Sequence, residues 1–138
     1  MHSRLTALST MTTLWVTDVR KIYICSALRG AMEDNIRKAR CYCEYVAREH
    51  RMIPIAPHIY LTQFLDDENA EDREFGLKAG LSLLSECDEL WYFGDQITRG
   101  MTDEICFAIE HGIPVKYIPE HQYEKYLSER KITNEIQL

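Results

Sequence analysis

Two short segments, about seventy residues apart, carry side chains that can do chemistry together. The first, Tyr23-Ile-Cys-Ser-Ala-Leu-Arg-Gly30, offers Ser26, Arg29 and Gly30 just before a helical pattern. Exposed N–H groups at a helix start attract phosphate, glycine lets a ligand approach the backbone closely, and arginine adds a bidentate fork. The second, Thr98-Arg-Gly-Met-Thr-Asp-Glu104, places the carboxylate of Glu104 on the first turn or two of its helix, where the helix dipole favours an anion. Such a carboxylate can attack an anomeric carbon as an oxocarbenium-like state develops. An anion cradle facing that acid points to chemistry on a nucleotide's sugar.

Each of these residues also has a purely structural role open to it. Glu104 can be an ordinary dipole-stabilising glutamate, and Arg29 a surface arginine in a turn. Asp103 competes with Glu104 but points about 100° away around the helix. Tyr23, near a strand's carboxyl end, either orients Glu104 or fills the core. His58, after the second strand, suits a ligand's phosphate or base, or a structural contact. Asp95, in the loop before Glu104, suits sugar hydroxyls or a turn.

These residues need an alternating scaffold to hold them. Lys21–Cys25 reads as a strand, and a helix follows from about Met32 to His50. Met32, Ile36, Ala39, Cys43 and Val46/Ala47 recur along one face of it. Met52–Ala56 is a short strand whose Pro54 and Pro57 imply a sheet edge or a strand end. Residues 58–70 form a loop with at most a helical turn. The next helix, about Glu71–Ser85, is expected to bury Phe75, Leu77, Leu81 and Leu84, with Gly76 and Gly80 four apart for close packing. Asp88–Phe93 is a third strand, and a helix over Met101–His111 closes at Gly112 before Pro114. Val115–Ile118 is a fourth strand, followed by an amphipathic helix over about Glu120–Arg130. The alternation predicts an α/β three-layer sandwich, Rossmann-like or flavodoxin-like, with a four- to five-stranded parallel sheet. In such sheets the strand-to-helix loops line one carboxyl edge, where ligands bind.

Length and composition set bounds on this. The 138 residues suit one domain, here 21–138, behind a partly ordered extension over 1–20. A formal net charge of -6 argues against a nucleic-acid polymer as partner. No apolar run approaches the roughly 20 residues of a membrane span, and residues 1–13 lack the apolar core of a secretory signal. Five cysteines, Cys25, Cys41, Cys43, Cys87 and Cys106, include no C-x-x-C pair, which suggests thiols in a cytoplasmic protein rather than zinc. Cys25 lies in the first site loop, where a reactive thiol is the alternative.

Taken together, the motifs resemble the nucleoside 2-deoxyribosyltransferase superfamily. Its 2'-deoxynucleoside 5'-phosphate N-glycosidase branch has a Tyr-Phe-Cys-Gly-Ser-Ile-Arg-Gly loop and a Ser-x-Gly-x-x-x-Glu motif. Tyr23, Cys25, Arg29 and Gly30 match the first, and Thr98, Gly100 and Glu104 the second. Pro54-Ile-Ala-Pro-His58, Thr62-Gln-Phe-Leu-Asp66 and Cys87-Asp-Glu-Leu-Trp91 further resemble a group of small phage and bacterial proteins placed in that superfamily. The likeness spans about residues 21–118.

The resemblance implies a Glu104 nucleophile oriented by Tyr23. Ser26, Arg29, Gly30 and Thr98 would hold the phosphate, His58 and Asp95 would line the pocket, and Gly100 would be a further substrate-binding residue. It implies no metal or cofactor, a small nucleotide or nucleoside as ligand, and a homodimer or higher homo-oligomer. Trp15, Tyr60 and Phe64 are candidates for that contact or for a base-stacking wall. Two departures stand out: Gly80 occupies roughly the place of the enzymes' general-acid aspartate, and Ala27 that of the phosphate-loop serine. The expected function is N-glycosidic hydrolysis or transfer on a (deoxy)nucleoside 5'-phosphate or related nucleotide. The alternative is a non-catalytic protein that binds or sequesters a nucleotide or nucleotide-derived signal.

Overall fold

A computed structural model describes residues 18–128; most of the expected extension over 1–20, with Leu14, Trp15 and Val16, lies outside the described residues. The architecture follows from the alternation in β1 (Lys21–Cys25). Ile22 and Ile24 are fully buried on one face, and Tyr23 and Cys25 are buried on the other. A strand buried on both faces requires a sheet covered on both sides.

The remaining elements supply that cover. Helix α1 (Met32–His50) follows β1, and β2 (Ile53–Ile55) and the short α2 (Pro57–Leu61) come next. Then come α3 (Ala70–Leu84), β3 (Glu89–Phe93), α4 (Arg99–Glu110) and β4 (Val115–Ile118). A 3-10 turn over Glu120–Gln122 and helical residues 124–128 replace the single helix expected over 120–130. All strand pairs are parallel, in the order β2-β1-β3-β4. The chain steps outward from β1 to β2, then crosses back to β3. The strand order therefore reverses between the neighbours β1 and β3, and their carboxyl ends flank the crevice where such folds bind ligands. β2 is an edge strand, which accommodates Pro54.

One core layer packs α1 and the C-terminal turn on Ile22, Ile24, Trp91 and Phe93. The other packs α3 and α4 on Tyr23, Cys25 and Leu90. The buried stripe of α1 is Ala39, Cys41, Tyr42, Tyr45 and Val46; it keeps the expected Ala39 and Val46 but turns away from Met32, Ile36 and Cys43, which are half-buried. The tyrosines win because they bury large rings and keep a polar tip at the edge, where Tyr45 Oη donates to Gln122 Oε1 at 2.8 Å. Tyr42 stacks on Phe93 with centroids 4.5 Å apart and meets Tyr123 edge-on. The Gly94 N–H donates to Tyr123 Oη at 3.2 Å, tying the C-terminal turn to the loop after β3.

In α3 the expected burial of Phe75 and Leu77 fails: they are 56% and 60% exposed. Gly76, Gly80 and Leu84, four apart, form the central stripe, and residues 75 and 77 lie about 100° to either side. Only Gly80 makes the close approach expected of the pair. A Cβ there would sit 3.3 Å from Tyr23 Oη, whereas one at Gly76 would meet only Leu65 Cδ1 at 4.0 Å. No described helix is long and apolar enough to cross a membrane.

Candidate active site

Because β1 and β3 are hydrogen-bonded neighbours, the loop after β1 and the helix after β3 start side by side. Thr98 opens α4 as its N-cap, accepting from Met101 N at 3.2 Å through Oγ1. Met101, Glu104 and Ala108, spaced three and four apart, share one face, and Met101 and Ala108 are buried. Glu104 is thus a carboxylate within an apolar stripe that packs on the sheet.

The stripe meets the Tyr23–Cys25 face of β1. Tyr23 Oη donates to Glu104 Oε2, and Cys25 Sγ approaches Glu104 Oε1 at 3.7 Å. Each carboxylate oxygen therefore faces its own donor. Burial pushes the Glu104 carboxyl up from 4.5 to about 7, against the opposing pull of the Tyr23 and Cys25 hydrogen bonds. Asp103, exposed beside it, adds a small upward push. The helix dipole expected to hold this anion does not dominate, since Glu104 lies beyond the first turn, where that field fades. Burial and then the Glu104 charge push the Tyr23 phenol well above its ordinary 10, so it stays a donor. Burial likewise pushes the Cys25 thiol up, which makes it a donor rather than the reactive thiolate of the alternative reading. None of the five cysteines is in a disulfide.

One residue past Cys25, buried Ser26 pairs with His58, Oγ to Nε2 at 3.4 Å. Burial pushes the His58 imidazole down to about 4, so at neutral pH it offers one donor and one acceptor and no charge. Asn35 Nδ2 donates to the carbonyls of Leu28 and Arg29, fixing the turn that ends at Gly30, whose φ is +100°. Only glycine takes that conformation without strain.

Arg29 does not join the Tyr23–Glu104 group. Its Nε is 2.9 Å from Asp67 Oδ2, in the connection between α2 and α3. Arg29 and Gly30 line an open cleft of about 370 Å³ with Met32, Asp67, Glu68 and Arg73. Asp95 is exposed in the loop after β3. Gly100 has room, because an added Cβ would meet only Thr98 Oγ1 at 3.9 Å. Tyr60 and Phe64 are 43% and 67% exposed. The described residues contain no group of three His, Cys, Asp or Glu side chains placed to share a metal ion.

Three participants escaped the sequence reading: Cys25 as a donor to Glu104, Asp67 as the partner of Arg29, and Arg73. A signal existed for the first, since Tyr23 and Cys25 are two apart on a strand and must share a face. None existed for the other two, whose contacts join segments 38 residues apart or run to a backbone carbonyl.

The parallel strands and the helices on both faces make a three-layer α/β fold, with the Tyr23–Glu104 pair beside its switch point. A solved 2-deoxyribosyltransferase from the psychrotolerant bacterium Bacillus psychrosaccharolyticus shares this fold. Its TM-score is 0.56, with 22% identity over 72% of each chain. The chain belongs to the family described as a domain of unknown function, DUF7768, which matches residues 20–118. No curated protein matches it.

Proposed function

We propose that the protein cleaves or transfers the N-glycosidic bond of a nucleoside or nucleoside 5'-phosphate, with Glu104 as nucleophile. The observation that carries this is the hydrogen-bonded Tyr23–Glu104 pair, half-buried at the crevice end of the sheet. Ionised Glu104 attacks C1', and the C1'–N bond breaks with its electron pair leaving on the base. The glycosyl ester is resolved when water or an acceptor base attacks C1', which returns the carboxylate. Tyr23 orients the carboxylate and steadies its charge. Ser26 and His58 offer neutral hydrogen bonds at the pocket wall, and Asp95 reaches sugar hydroxyls.

Gly80 lies against Tyr23 Oη, and no carboxylate is available at that position to protonate the leaving base. Solvent must then supply the proton, at a cost of about 10²–10⁴ in rate. Bases that leave readily, such as nicotinamide, suit this site better than adenine. The same glycine favours the second reading, a non-catalytic nucleotide binder. The deciding experiment is chromatographic detection of free base from a panel of nucleosides and nucleotides, with Glu104→Gln as control. Release that disappears in the variant supports the enzyme. Binding without release, unchanged by the substitution, establishes the binder.

A further inference from the structure

The arginine of the first loop already holds an anion, and that anion belongs to the protein. Arg29 Nε pairs with Asp67 Oδ2 at 2.9 Å, while the Arg73 guanidinium is anchored on the Asp67 backbone carbonyl through Nε and Nη2 at 3.2 and 3.1 Å. The segment bearing Asp67 is itself held in shape. Asp66 N donates to Asp72 Oδ2 at 2.9 Å, and Glu68 N to Asp66 Oδ1 at 3.0 Å. Asp67 is therefore presented to Arg29 by a braced turn and not by a wandering side chain. The cleft these residues line carries two arginines against two carboxylates, Asp67 and Glu68. Its formal charge is balanced before any ligand arrives.

We propose that Asp67 is a specificity-determining residue: an internal competitor for the Arg29 guanidinium that weighs against phosphorylated ligands in favour of uncharged nucleosides. This rests on the reading that the crevice takes a nucleoside or nucleotide. A phosphate landing on Arg29 must displace the Asp67 carboxylate or share the cation with it beside a second like charge. An unphosphorylated nucleoside meets no such competition. Arg29 is 58% exposed and Asp67 24%, so the pair is modest in strength and displaceable rather than locked.

The test measures binding of inorganic phosphate, and of a nucleoside with its own 5'-phosphate, by titration calorimetry. Wild type, Asp67→Asn and the double variant Arg29→Gln/Asp67→Asn are compared. Asparagine keeps the shape of the turn and the carbonyl that anchors Arg73. The expected result is phosphate and nucleotide binding about two- to fivefold tighter in Asp67→Asn, nucleoside binding unchanged, and the gain abolished in the double variant. Equal or weaker phosphate binding in Asp67→Asn overturns the proposal, as does a gain that survives loss of Arg29. Absence of phosphate binding in all three also overturns it. The Glu104 chemistry is then still read separately, by base release from the unphosphorylated nucleoside.

Discussion

Replacing Glu104 by glutamine should stabilise the protein, by an amount that depends on pH. The folded chain holds the Glu104 proton up to about pH 7, whereas an unfolded chain releases it near 4.5. Between those values the native state carries a proton that the unfolded state has lost. Linkage then makes stability fall as pH rises through this window, by about 1.4 kcal/mol per pH unit and about 3 kcal/mol in all. Glutamine has the same shape and no charge, and its carbonyl still accepts from the Tyr23 hydroxyl. Glu104→Gln and wild type should therefore be about equally stable at pH 4. At pH 8 the variant should be more stable by about 3 kcal/mol, though catalytically dead. Urea unfolding of both proteins across this range measures the difference, in which every other titrating group cancels. A difference that does not change with pH, or that favours wild type at pH 8, refutes the account of Glu104 as a carboxylate held at a desolvation cost.

Four further outcomes are expected. Base release should rise with pH through about 7 as Glu104 ionises, and a pH profile of kcat/KM reads this directly. Tyr23→Phe removes the hydrogen bond that holds the carboxyl down, so the same limb should move up by about one to two pH units. Gly80→Ala gains helix propensity but presses on Tyr23 Oη; we expect unfolding free energy within about 1 kcal/mol of wild type and a marked fall in base release. Arg51 ends α1 at a φ of 53°, so Arg51→Gly should raise stability by about 0.5–1 kcal/mol in denaturant titration.

The scaffold was legible where its signals are local. Lys21–Cys25, Met32–His50 and Val115–Ile118 have the expected bounds, because period-two and period-three-to-four patterns are written into neighbouring residues. The short α2 hid in a proline-led stretch, since Pro57 reads as a breaker yet serves well as a first helical residue. Helix faces were harder. Tyrosine counts as polar or apolar by context, so α1 turned towards Tyr42 and Tyr45. In α3 the expected Leu81 and Leu84 do face inward, but Gly80 lies beside them in place of the expected Phe75 and Leu77. At the site, motif positions single out Tyr23 and Glu104, and their contact follows from strand order. The engagement of Arg29 by Asp67 is a matter of three-dimensional charge pairing, on which spacing is silent.

The bond from Gly94 to the Tyr123 hydroxyl couples the turn after β4 to the loop after β3. Gly94 starts the span that delivers Asp95 and Thr98, so the tail braces that span from behind. Cutting the polypeptide ahead of Tyr123 would strip away a buttress as well as a packing surface. The loss would loosen the loop after β3 and uncover the aromatic core on Tyr42, Tyr45 and Phe93 together.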